Sequence, residues 1–154
     1  MSYLLDAGVL LRLVDQNDDQ HELVRRAVRS LIALKEVLLI ASQNVAEFLN
    51  VATRPVANNG LAMTTKQAVE LFHRETESIC SVVIEGESTH RELLRLVDQY
   101  SVTGKQVHDA RLIAIILTWE IENLLTLNDR HFRRFEPEGI KVVSPGDITP
   151  VGIP

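Results

Sequence analysis

Apolar residues along the chain alternate between short continuous runs and a recurrence every three to four positions, which predicts strands separated by helices. Tyr3-Leu4-Leu5 reads as a short buried strand ending at Asp6, and after Gly8 the residues Val9, Leu10, Leu13 and Val14 begin a helical pattern. Asp15 to Asp19 is a polar break. From His21 the positions Leu23, Val24, Ala27, Val28, Leu31 and Ile32 mark one helical face, with Arg25, Arg26 and Arg29 turned outward. Val37 to Ile40 is a second strand, and Ser42 is the expected N-cap of a helix carrying Val45, Phe48, Leu49 and Ala52, which Pro55 ends. Val56 to Met63, with Asn58-Asn59-Gly60, reads as a loop, and Thr64 or Thr65 caps a helix running to about Ser78. Ser81 to Ile84 is a third strand, Ser88 starts a helix that Gly104 closes, and His108 to Ile121 is apolar on nearly every side. Leu124 to Leu127 and Ile140 to Val143 complete the strands, and the tail from Ser144, with three prolines, is irregular.

Strands that alternate with helices imply βαβ units and a mainly parallel sheet covered on both faces. No internal repeat or linker divides the 154 residues, so a single domain over 1–154 is expected, with an irregular tail from about 144. The net charge of −5 argues against a broad basic surface that grips duplex DNA indiscriminately, while leaving room for a local basic rim. Cys80 is the only cysteine, which removes an internal disulfide and fits a reducing compartment; the thiol itself is read as packing. The apolar cluster near the amino terminus is interrupted by Asp6 and Arg12, and the longest purely apolar stretch, Leu112 to Leu117, is too short to span a bilayer. A soluble, cytoplasmic protein without a membrane segment is the expectation.

Four acidic stations fall where such a fold can gather them: Asp6 at a strand end, Glu47 in a helix, Asp109 opening the apolar helix, and Asp129 beyond another strand. The crevice of an open parallel sheet lies outside the carboxyl ends of its strands. Carboxylates sharing such a crevice repel one another, and a hard divalent cation with oxygen ligands answers that repulsion. An ion held by Asp6 and Asp109, with Glu47 and a group at Asn128-Asp129 acting directly or through water, fits phosphodiester hydrolysis. Each residue also has a structural reading. Asp6 can end a strand and cap the next helix, Glu47 can be a surface residue, Asp109 suits a first helical turn, and Asn128-Asp129 is turn-prone. His108 could face substrate beside Asp109 or be a solvated cap. Their joint placement is what points to a metal-dependent enzyme.

Four strings carry a resemblance: Leu4-Leu5-Asp6-Ala7-Gly8-Val9-Leu10-Leu11, Asn44 to Pro55 around Glu47, Gly104 to Leu112 around Asp109, and Leu124-Leu125-Thr126-Leu127-Asn128-Asp129-Arg130-His131-Phe132. In that order, over about residues 3 to 145, the chain resembles the PIN-domain nucleases, especially the VapC-type toxins of toxin–antitoxin pairs. The resemblance implies a three-layer α/β/α sandwich and Asp6, Glu47 and Asp109 as the family's first three acidic positions, binding Mg²⁺ or Mn²⁺ for endonucleolytic cleavage of RNA. It also implies a homodimer and a cognate antitoxin protein that blocks the site. The fourth position is Asn128 by alignment and Asp129 by charge, with at most one of them near the metal. The chain departs from the family at Ala7 and Gly8, which supply no side-chain oxygen where the family usually has Thr or Ser and then Asn or Ser. That departure motivates an alternative: a catalytically weakened PIN-fold module that binds RNA or a protein. Arg12, Lys105, Arg111 and Arg130 stand near the acidic stations as possible phosphate contacts, with Lys105, Arg12 and His108 the leading substrate-binding candidates. A phosphoaspartyl receiver, a haloacid-dehalogenase-type phosphatase and a phosphate loop at Thr103-Gly104-Lys105-Gln106 each lack a residue their chemistry needs.

Overall fold

β1 (Ser2–Leu5) is the central strand of a five-stranded, all-parallel sheet in the order β3-β2-β1-β4-β5, where β2 is Val37–Ala41, β3 Ser81–Val83, β4 Asn123–Leu125 and β5 Lys141–Val143. The computed structural model describes residues 1–151. Leu4 lies opposite Leu39 on one side and Leu124 on the other, so the middle of the sheet is apolar across three strands.

The order steps outward from β1 to β2 and β3, then returns across the sheet to β4 and β5. Right-handed crossovers in opposite directions place their helices on opposite faces. Accordingly α1 (Ala7–Val14), α2 (His21–Ala33), α3 (Ser42–Thr53) and α4 (Thr65–Phe72) cover one face, and α5 (Glu87–Gln99) and α6 (Gln106–Thr118) cover the other. Because strand side chains alternate between faces, Tyr3, Leu5, Ile40 and Leu125 pack with Val24, Val28 and Phe48, while Leu4 and Leu124 pack with Ile113, Ile116 and Phe135. The result is the sheet covered on both faces that the strand–helix alternation predicts, and the three-layer α/β/α sandwich that the resemblance implies. The short α7 (Asp129–Phe132) and a 3-10 segment (Arg133–Glu138) connect β4 to β5.

Several local expectations shift. Ser42 is the first residue of α3 rather than its cap; Ala41 takes the cap position and its N–H donates to the Asn44 Oδ1 at 2.9 Å. A side chain three residues into the helix thus satisfies a donor that the Ser rule assigned elsewhere. The helix from Thr65 ends as α-helix at Phe72 and continues as one π turn, His73–Glu77. Its start does follow the pattern: the Thr64 hydroxyl accepts from the Gln67 N–H, and the Gln67 side chain accepts from the Thr64 N–H. α6 begins at Gln106, which puts Asp109 within the first turn rather than at its opening. β4 stops at Leu125, so Thr126 and Leu127 belong to the loop that leaves the sheet. The tail includes a 3-10 turn at Pro145–Asp147, and Pro154 lies outside the described residues.

Candidate active site

The strand order reverses between β1 and β4, and Asp6 sits at that reversal, directly after β1. Its N–H donates to the Leu125 carbonyl at 3.0 Å, carrying the ladder one step past both strands. Its side chain then turns inward. Oδ1 accepts from the Ala7 N–H at 2.8 Å, and Oδ2 accepts from the Thr126 hydroxyl at 2.7 Å. The same hydroxyl oxygen accepts from the Asn128 N–H at 3.0 Å, so Thr126 fixes the loop after β4 to the acid after β1. Burial pushes the Asp6 carboxyl up to about 6, the Thr126 and Ala7 bonds oppose the rise, and the charges of Glu47 and Asp109 add to it.

Glu47 and Asp109 reach Asp6 from different elements. Gln43, Glu47 and Asn50 recur at helical spacing on one face of α3, and all three line a cleft of about 260 Å³ together with Asp6, His108 and Asp109. Gln43 is buried, and its Nε2 donates both to Glu47 Oε1 at 3.0 Å and to the His108 carbonyl at 3.1 Å. One amide therefore positions Glu47 and ties α3 to the first turn of α6. Asp109 is half-buried; burial raises its pKa, and the neighbouring His131, Arg134 and His108 oppose that rise. His131 Nδ1 is 3.5 Å from Asp109 Oδ2.

The two candidates for the fourth position separate. Asn128 lines the cleft. Asp129 starts α7 outside it and accepts from Arg133 at 2.8–2.9 Å, a bond that holds its pKa below the usual carboxylate range. His108 lines the cleft beside Asp109. Arg12 stands at its edge: it pairs with Asp18 at 3.3 Å, and its Nη1 is 3.9 Å from where a Cβ on Gly8 would lie. Lys105 and Arg130 are exposed and outside the lining, and Arg111 is engaged by Glu85 through bonds of 2.7–3.1 Å. Ala7 and Gly8 both line the cleft, and the space over Gly8 is open apart from Arg12. Thr126 and Gln43 were not singled out from sequence. The signal for Thr126 was its place immediately after an apolar strand, and for Gln43 its spacing of four residues before Glu47.

A larger groove of about 630 Å³ beside α2 contains none of the four acidic stations. Cys80 is buried, and burial pushes its thiol up to about 12, in keeping with a packing role. Among the described residues no three His, Cys, Asp or Glu side chains form a ready-made ligand cluster, and no helix is long and apolar enough to cross a membrane.

No curated protein sequence matches the chain. Solved structures do. The VapBC2 complex of Rickettsia felis bound to a promoter DNA fragment contains a chain with a TM-score of 0.70 at 14% identity, covering 94% of this chain and 98% of that one. VapBC-1 of nontypeable Haemophilus influenzae gives 0.67 at 14%, again over 94% and 98%. Mycobacterium tuberculosis VapC20, described as a sarcin-ricin loop cleaving toxin, gives 0.58 at 15% over 79% and 86%. Identities this low establish a shared fold. The PIN domain family model matches residues 3–136, a span that includes the strand-end acid, both helices facing it and the loop after β4. The chain therefore belongs to the PIN domain family.

Proposed function

We propose that this protein is a divalent-metal-dependent endoribonuclease and the toxin of a cytoplasmic toxin–antitoxin pair. The observation that carries the reading is the convergence of Asp6, Glu47 and Asp109 on one cleft at the reversal point of the sheet. Similarity to chains from VapBC complexes supports an antitoxin partner, and the name of the Mycobacterium tuberculosis relative supports RNA as the substrate class. A homodimer is part of the same reading, with the exposed Ile32 and Leu34 at the end of α2 as candidate contacts.

The donor set fits Mg²⁺ or Mn²⁺. Mg²⁺ takes one or two protein carboxylates and keeps several waters, and Asp6 and Asp109 line the same cleft. Asp6 has two oxygens that each accept one hydrogen bond and retain a further lone pair; burial raises its pKa, the charges of Glu47 and Asp109 add to the rise, and a cation would offset that added repulsion. Asp6 and Asp109 would hold the ion. When bound, it would offset charge developing on the phosphodiester and lower the pKa of nearby water. Glu47, pinned through Oε1 by Gln43, keeps Oε2 for the proton of an attacking water. The water oxygen bonds to phosphorus, the bond from phosphorus to the leaving oxygen breaks, and that oxygen takes up a proton. Asn128, held by its backbone to Thr126, presents a neutral amide to the same cleft.

Asp6→Asn and Asp109→Asn should each abolish Mn²⁺-dependent cleavage of RNA while leaving the circular dichroism spectrum unchanged. Full cleavage by both variants would refute the assignment. Ala7 and Gly8 favour a second reading, a PIN module with weakened catalysis that binds RNA or protein. A wild type that neither cleaves RNA nor binds Mn²⁺ by calorimetry would favour that alternative instead.

A further inference from the structure

The arginines near the cleft differ in what holds them. Arg12 pairs with Asp18, Arg111 with Glu85 and Arg133 with Asp129. Arg134 has no such carboxylate partner among the described residues, yet its guanidinium is fixed: Nη2 donates to Gln106 Oε1 at 3.0 Å, and the group lies 4.9 Å over the Phe135 ring. Its Nε–H is shielded and has no acceptor. Gln106 is three residues before Asp109, on the same side of α6, and His131, one turn before Arg134, touches Asp109. Lys105, exposed and likewise outside the ion pairs among the described residues, directly precedes Gln106. Arg134 is near enough to Asp109 for the two charges to interact, which sets it beside the acidic cleft.

A guanidinium held in place by stacking and one neutral acceptor, with donors to spare, is arranged for a planar oxyanion such as phosphate. We propose that Arg134, together with Lys105, forms a phosphate-binding rim over the first turn of α6 that receives the RNA strand next to the bond being cut. The proposal rests on the ribonuclease reading and names the side of the cleft from which the strand enters. The phosphate bound here is a neighbour of the scissile one, so Arg134 orients substrate and takes no proton.

The test is binding of a labelled single-stranded RNA, by fluorescence anisotropy in EDTA, to the full Asp6→Asn chain alone and with Arg134→Gln, Arg134→Lys or Arg133→Gln added. Affinity is measured across a range of salt concentrations. Losing one phosphate contact should make the slope of log affinity against log salt shallower by about 0.7, whatever the RNA sequence. Arg134→Gln should show that change, Arg134→Lys should restore the slope, and Arg133→Gln should leave it as in the parent. A parent that binds RNA with a slope unaltered by Arg134→Gln overturns the rim alone. A parent that binds no RNA overturns both the rim and the ribonuclease reading.

Discussion

At Asp6 the fold buries a carboxylate that water would solvate better, and the position is intelligible as a site requirement. Its pKa rises from 3.8 to about 6, which corresponds to roughly 3 kcal/mol favouring the protonated folded form. The sign follows from proton counting. Between 3.8 and about 6 the folded state binds more protons than the unfolded state, so stability falls as pH rises through that window and the full penalty stands above it. Asp6→Asn should therefore raise the melting temperature of the metal-free protein at pH 7.5, and the gain should shrink as the pH is lowered towards 4; thermal melts across that range check it. Thr126→Val removes the hydroxyl that donates to Asp6 Oδ2 and accepts from the Asn128 N–H. It should cost about 1–3 kcal/mol in urea unfolding, since the buried Asp6 carboxylate and the part-buried Asn128 N–H each lose a bond, and should reduce cleavage as well. Asp129→Asn breaks only a solvent-screened pair with Arg133 and should leave the urea-unfolding midpoint as in the wild type, with cleavage near wild type.

At the scale of elements, each acidic station depends on how its helix begins or ends. α3 is closed by the loop 54–63, in which the Leu61 N–H donates to the Val51 carbonyl and the Ala62 N–H to the Arg54 carbonyl. A Cβ on Gly60 would lie 1.9 Å from that Arg54 carbonyl oxygen. Gly60→Ala should therefore displace the loop and destabilise the protein by at least about 1–3 kcal/mol in urea unfolding. The turn itself was legible from Asn58-Asn59-Gly60, as were the amphipathic α2 and the buried α6, because a long period-3.6 pattern is strong. Boundaries were less so. The extra turn at His73–Glu77 and the Asn44 cap of α3 depend on hydrogen-bond choices that apolar spacing does not encode, and Leu127 extended the apolar run of β4 by two residues that the structure gives to a loop. The choice between Asn128 and Asp129 was open for the same reason. It turns on a loop geometry set by Thr126 and on Arg133, at the start of the 3-10 segment that follows α7.

For the whole molecule, the alternation of strands and helices was enough to anticipate a parallel sheet between two helical layers, whereas the strand order was not. That order is what gathers the site, since placing β4 beside β1 joins residues 120 positions apart through the Thr126–Asp6 bond. A cation entering the cleft should relieve repulsion that the folded state alone experiences. Millimolar Mn²⁺ is therefore expected to raise the melting temperature of the wild type by several degrees and to leave Asp6→Asn nearly unmoved in a thermal-shift assay. The central place of β1 also bears on synthesis. A ribosome releases β1, β2 and β3 well before β4, and domains tend to assemble from the amino end as they emerge. Until Thr126 has left the exit tunnel the wall that completes Asp6 does not exist, so an unfinished chain tethered to the translation machinery has no assembled acidic cleft.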